Sequence, residues 1–565
     1  MLGSIALVLA TALAACSQGQ PVGRSVPDAA AQPTASQLAG PRGTLKVAWG
    51  REPETLSPKF LAGAEDGEYQ WTFNSALTVR DLAGEPHPVL AREIPTQENG
   101  DFVINPDGTM VTTYRLRAGA TWHDGTPITA GDYVFAHEVY LDKNLPIQQP
   151  QPEPLMSAVE AKDDYTLVIS WREPFLAANT LGYQQLNPLP RHVLEAKYRN
   201  NHDNFAIGEE WTTAYVGTGP FRVERWTRGS GLVARAHPGW ALGPPKLDTL
   251  EIRFIPDANA QMASLLSGAV DMVNSPTVRS NEAAAIREQW NGQGYVTSWV
   301  TRAQYLEFQF RQVPNWQRAV TDVRVRQALL SAVDRQALAD TINLGFGGVA
   351  DAFIVPTDPL YPEVEQVITK YPLDLNRSSA LLAEAGWQKP AGGGPAVNAA
   401  GQTLDVELWT TTDATRVGEI VVNNWKGAGV NASTFGIPAA RARDGELRSS
   451  FPAANVNSRS IGPDNFVWTT SGFPTPANRF VGSNRGSFSD PEVDRLQKIR
   501  LTSFDPGEQK QATVGVLKRM TELVGAQPMI YAVEVIVARN SVHGPVGNYG
   551  PQQGITWNIQ DWEVS

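Results

Sequence analysis

The sequence predicts a mixed α/β protein. Three features predict it: short alternating strands, helices bounded by capping residues and glycines, and one strand–helix–strand unit between Leu404 and Phe435. Gly43 to Trp49 alternates and reads as a strand. A second strand spans Val111 to Leu116, and a helix begins near Thr129, with Asp132 three positions on as a capping-box partner. Thr166 to Trp171 reads as a buried strand, and Leu250 to Ile255 as a strand followed by a helix from Asn259 to Ser267. One long helix is expected from Asp322 to Asn343, ended by Gly345, Gly347 and Gly348. Its Val325, Ala328, Leu329 and Ala332 form an apolar stripe, and Arg326 is placed to pair with Asp334.

A helix from Asn376 to Ala385 stops at Gly386 and precedes the Gly/Pro/Ala-rich loop from Lys389 to Gly401. Leu404 to Leu408 is then a strand, Ala414 to Lys426 a helix, and Val430 to Phe435 a strand, a βαβ crossover. Helices follow over Asp490 to Leu501 and Pro506 to Leu523. Strands near Met529 to Ala538 and Thr556 to Val564 end the chain.

Cys16 is the only cysteine in the 565 residues and follows Leu13-Ala14-Ala15 after an apolar stretch. A short apolar segment ending in small residues reads as a secretory signal peptide. It is too short for the roughly 20 apolar residues that span a bilayer. No Lys or Arg precedes Cys16, so a true start upstream of Met1 is expected. Residues 17 to 43 are Gln, Ala, Pro, Ser and Gly-rich, with no aromatic residue before Trp49, and are expected to form a disordered tether reaching about 30 Å. A net charge of −11 with no basic run argues against nucleic-acid binding. The lone cysteine excludes an internal disulfide and a cysteine-ligated metal centre.

Enzyme signatures are scarce: no Gly-x-Ser-x-Gly elbow, no phosphate loop with Gly-Lys-Ser/Thr, and no His-Glu-x-x-His. The seven histidines are scattered, and Gly345 to Gly348 follows a helix rather than a strand. Asp124 with Asp132, and Glu209 with Glu210, read as turn or solvated residues before they read as acid–base pairs. No cofactor is expected.

Leu116 to Phe135 (LRAGATWHDGTPITAGDYVF) resembles the signature of the family 5 extracellular solute-binding proteins, the oligopeptide, dipeptide and nickel receptors of ABC importers. Further stretches fit the same family in order: Val216 to Phe221, Leu265 to Asp271, Val323 to Leu329 with Val333 to Arg335, Ala380 to Trp387, and Asp490 to Asp494. The resemblance covers Thr44 to Ser565. It implies a two-lobed periplasmic-binding-protein-like fold (type II, cluster C) with an extra subdomain inserted in lobe I. Lobe I would take residues 44–68, 186–299 and 537–565, the insertion 69–185, and lobe II 300–536. The two connections near Trp299 and Val537 would act as hinges. The implied function is capture of a peptide or similar solute by lobe closure and delivery to a membrane permease and its ATPases, without catalysis. Cys16 would be the lipidated residue, anchoring a monomer outside the cytoplasm. A receptor for a non-peptide solute (oligosaccharide, metal chelate or anionic metabolite) and a surface lipoprotein hydrolase stay open as alternatives.

Ligands of open α/β lobes sit beyond the carboxyl ends of strands. That points to Trp409, Thr410, Thr411 and Asp413, after the strand ending at Leu408. The alternative places Trp409 in the core and makes Asp413 a helix cap. The second candidate stretch is the loop from Asn455 to Phe466, with Arg459, Asp464 and Asn465. By the resemblance, peptide receptors carry an aspartate here for the ligand's amino terminus; counted back from Phe466 that position holds Arg459, and counted from Phe451 it holds Ile461, so the acid is missing either way.

Overall fold

The structure, a computed structural model, describes residues 43–60, 67–81, 84–147, 151–411, 414–462, 466–547 and 554–565. The signal segment with Cys16, the tether through residue 42, and the candidates Asp413, Asp464 and Asn465 lie outside the described residues.

Ten strands form one mixed sheet. In chain order they are β1 (Thr44–Trp49), β2 (Phe221–Thr227), β3 (Gly231–Ala236), β4 (Thr249–Phe254), β5 (Met272–Asn274), β6 (Gly294–Phe308), β7 (Asp405–Thr410), β8 (Asn431–Gly436), β9 (Ala454–Ser460) and β10 (Ala526–Arg539). Across the sheet the order is β8-β7-β9-β6-β10-β5-β1-β4-β3-β2. β1 runs parallel to β4 and β5, and β7 parallel to β8 and β9. The helix Thr415–Gly427 links β7 to β8, so the expected βαβ crossover is present.

The two long strands, β6 with 15 residues and β10 with 14, join the halves of this sheet. The first half of β6 pairs with the second half of β10, whose Ile536 to Ala538 also pair with β5. The second half of β6 pairs with the first half of β10 and with β9. Between these stretches the register slips: Val300 opposes Val533 and Arg302 opposes Ala532, which leaves Thr301 over. Such an extra residue bends and twists a ladder locally.

Each half has its own packing. A large core surrounds Leu45, Val47, Phe60, Trp122, Tyr133 and Trp562, and a four-stranded antiparallel sheet (102–104, 110–115, 166–171 and 156–163) adds Tyr114, Ile169 and Trp171 to it. The other half is layered. Leu306, Phe308, Leu408, Ala454 and Val456 face helices carrying Val325, Leu329, Val421 and Trp425. On the opposite side Tyr305 and Ala526 meet Phe353, Trp468, Val516 and Met520.

Several elements form as the sequence predicts. The helix Ala130–Tyr140 begins after Thr129, whose N–H donates to Oδ2 of Asp132 at 2.8 Å. The helix Pro506–Leu523 keeps its expected bounds. Others do not. The single helix expected from Asp322 to Asn343 is two, Val323–Ser331 and Arg335–Asn343. Asp334 breaks it by capping the second: its Oδ1 accepts from Ala337 N–H at 2.9 Å, while its own N–H donates to Asn424 Oδ1. The Arg326–Asp334 ion pair therefore does not form. Arg326 is buried and donates to the carbonyls of Val320, Thr321, Leu523 and Val524, with its guanidinium 4.7 Å from the Phe310 ring. The final strand shrinks to Glu563–Val564 because a turn and a 3₁₀ segment (Ile559–Asp561) precede it.

Candidate functional site

The candidate site is the face of β7, β9 and β6 opposite the apolar helical layer. Residues directly across a ladder share a face, and that face alternates along each strand. Trp409 opposes Asn455 and Phe435, and on β6 Glu307 opposes Asn455, Tyr305 opposes Asn457 and Ala303 opposes Arg459. One face thus carries Phe435, Trp409, Asn455, Asn457, Arg459, Tyr305 and Glu307. The alternate positions Leu408, Ala454, Val456, Leu306 and Phe308 supply the apolar core.

β7 runs on to Thr410, so Trp409 lies within the strand rather than after it. Trp409 is half-buried, its Nε1 donates to Glu407 Oε1 at 2.6 Å, and its ring centroid sits 4.6 Å from that of the exposed Phe435. Together the two rings form an aromatic shelf at the sheet edge. Thr410 points the other way. It is buried against the helix Thr415–Gly427, where a Cβ on Gly418 would lie 2.3 Å from Thr410 Cγ2. Thr411 follows the strand, and its carbonyl accepts from Ala414 N–H at 2.9 Å to start that helix.

Arg459 lies in strand β9 instead of the expected loop. Apolar and polar residues alternate from Ala454 to Asn457, which suits a strand with one apolar face. The structure therefore brings Trp409 and Arg459 onto one face and separates Thr410 from it.

Sequence reasoning missed the centre of this face, Glu307, only 1% exposed. A tight turn holds it: Gly486 N–H donates to its Oε1 at 2.9 Å, and a Cβ on Gly486 would lie 2.0 Å from the Phe308 carbonyl oxygen. Burial pushes the Glu307 carboxyl above the usual carboxylate range, against the opposing influence of Arg485, the turn's N–H groups and Asn455. Burial likewise lowers Arg448 and Arg459 from the ordinary guanidinium value and raises the Tyr305 phenol. Among the described residues, Glu307 Oε2 and Asn455 Oδ1 have no hydrogen-bond partner. A charged residue interrupting the apolar run Tyr305-Leu306-Glu307-Phe308 is the signal that could have found it.

Other candidates resolve into structure. Asp124 binds His192 at 2.7 Å, Asp132 caps its helix, and Glu210 pairs with Lys197 at 2.9 Å. No group of three or more His, Cys, Asp or Glu side chains that could hold a metal occurs among the described residues.

Residues 85–475 match the model of the bacterial extracellular solute-binding proteins, family 5. The oligopeptide-binding protein AppA of Bacillus subtilis is 27% identical over 404 residues, covering 70% of this chain and 67% of its own. The fold is shared with the ABC transporter substrate-binding protein CtaP of Listeria monocytogenes (TM-score 0.71, 19% identity, covering 93% of this chain and 99% of that one). It is also shared with NikA of Brucella suis in complex with Fe(III)-EDTA (TM-score 0.74, 19% identity, 92% and 100%). The conserved architecture and the match over most of the length agree: this chain belongs to the family 5 bacterial extracellular solute-binding proteins.

Proposed function

We propose that the chain captures a small solute against the β7–β9–β6 face and passes it to an ABC permease and its ATPases. The observation that carries this reading is the polar and aromatic face itself, with Trp409, Asn455, Asn457 and Arg459 opposite a conventional apolar layer. Buried polar atoms without a partner among the described residues, Glu307 Oε2 and Asn455 Oδ1, suit a binding surface better than a packing surface.

In this reading lobe I takes residues 44–68 and 186–299 with the C-terminal stretch, the insertion takes 69–185, and lobe II the remainder. The hinge is taken at the register slip, Thr301 on β6 and Ala532–Val533 on β10, four residues before the Val537 expected from the resemblance. Closure follows because only the closed form contacts solute from both lobes. The solute is a peptide or a similarly sized polar molecule. AppA of Bacillus subtilis is named for oligopeptides, whereas the NikA structure holds an iron chelate. No bond is broken in this cycle, and Cys16 would carry the lipid that keeps a monomer at the membrane.

Native mass spectrometry of the purified full chain tests the reading. A small molecule should leave on unfolding, and Trp409→Ala should reduce its occupancy at least fivefold. Wild-type protein that neither carries nor binds any member of a library of peptides, sugars and chelates would refute it.

A further inference from the structure

Among the described residues, the same face gathers three arginines around one buried acid, Glu307. Arg448 ends the short helix Gly445–Arg448, Arg459 lies on β9, and Arg485 sits in the turn that Gly486 ties to Glu307. Strand register puts Arg459 on the face of Tyr305 and Glu307, and Gly486, the residue after Arg485, is tied to Glu307. The carbonyl of Ser449, next to Arg448, accepts from Gln309 Nε2 at 3.1 Å, two residues beyond Glu307. All three side chains are half-buried. Glu307 is the one carboxylate common to their surroundings among the described residues. Arg459 has a contact of its own. By contrast, Arg448 and Arg485 have no ion pair and no side-chain hydrogen bond among the described residues.

Guanidinium groups taken partly out of water beside other guanidinium groups are costly unless anionic acceptors meet them. An arginine fork suits a carboxylate or phosphate because it donates two parallel hydrogen bonds. An ammonium placed here would face the guanidinium groups of Arg448 and Arg485. We propose that this face recognises an anionic group of the solute, a carboxylate or phosphate, through Arg448 and Arg485 with Arg459 beside them. The inference rests on the reading of this face as the solute site. It names the solute's chemistry, an acidic group.

The test uses the full chain with citrate, inorganic phosphate and spermidine, titrated by calorimetry at matched ionic strength, on wild type, Arg448→Gln and Arg485→Gln. Citrate or phosphate should bind saturably, each variant should weaken that binding at least fivefold, and spermidine should give no saturable heat. Arg448 lies on a short surface helix, so Arg448→Gln keeps the test valid if Arg485→Gln fails to fold. The proposal is overturned if neither anion binds or if both folded variants bind as wild type does. It is also overturned if spermidine binds more tightly than citrate, which would make the unpartnered Glu307 oxygen a cation site. Scattering separates the two readings. Anion binding without compaction keeps the arginine site and removes lobe closure; compaction by a cationic or neutral solute, with no anion bound, does the reverse.

Discussion

Gly486 N–H donates to Glu307 Oε1 at 2.9 Å, and the Gly486 carbonyl accepts from Phe310 N–H at 2.8 Å. Two backbone groups of one turn thus fasten it to the end of β6 and fix Glu307, the buried acid of the candidate face among the described residues. The approach is close enough that a methyl at Gly486 would meet the Phe308 carbonyl oxygen at 2.0 Å. Gly486→Ala should therefore cost about 2–4 kcal/mol in urea unfolding and weaken solute binding. Wild-type stability would show that the turn yields without strain.

Arg326 and Asp334 should act independently. Arg326→Lys removes a fork that serves four carbonyls and should cost about 2–4 kcal/mol. Asp334→Ala removes a helix cap and should cost about 1 kcal/mol. The double variant should equal the sum within about 0.5 kcal/mol. A coupling above about 1 kcal/mol would restore the ion pair expected from sequence.

The sequence made the local elements plain where one signal dominated. Pro506 to Leu523 opens with an Asp505 cap and a proline at its first position, and its bounds were legible. Thr129 and Asp132 declared their cap, and the spacing of Leu404 to Phe435 declared the crossover. Asp334 was hidden because a capping aspartate inside a long apolar stripe looks like a surface helix residue. The candidate face was half legible. Trp409 follows from the end of a strand, but Glu307, Arg448, Asn455 and Arg485 meet only through strand register and one tight turn. Nothing local in the chain encodes such pairings across up to 178 positions (307 to 485).

His123 should make the protein acid-sensitive. Its ring is buried and held neutral, with Nδ1 accepting from Gly217 N–H and Nε2–H donating to the Gly219 carbonyl. Burial, helped by neighbouring His237, lowers its pKa to about 3. A depressed folded value means the unfolded chain binds the proton more readily. The stabilisation is present above pH about 6.5 and is lost as pH falls toward 3. Between pH 7 and 5 this contributes a loss of about 2 kcal/mol. Urea midpoints at both pH values should converge by that amount in His123→Gln; an unchanged slope would show that His123 does not titrate in the unfolding transition.

With Cys16 proposed as the lipidated residue, Cys16→Ser should release the protein from the membrane fraction. Labelling with a fatty-acid analogue should mark wild type alone. Equal labelling of the serine variant would show that the lipid, if present, is attached elsewhere.

Small-angle X-ray scattering reads lobe closure around a solute directly. The full chain stripped of solute, then titrated with the molecule that native mass spectrometry finds bound, should show a smaller radius of gyration at saturation. Near 100 times the Kd, its folded state should gain about 2.7 kcal/mol. Saturable binding with that gain in stability but an unchanged radius of gyration would contradict hinged closure about Thr301 and Val533.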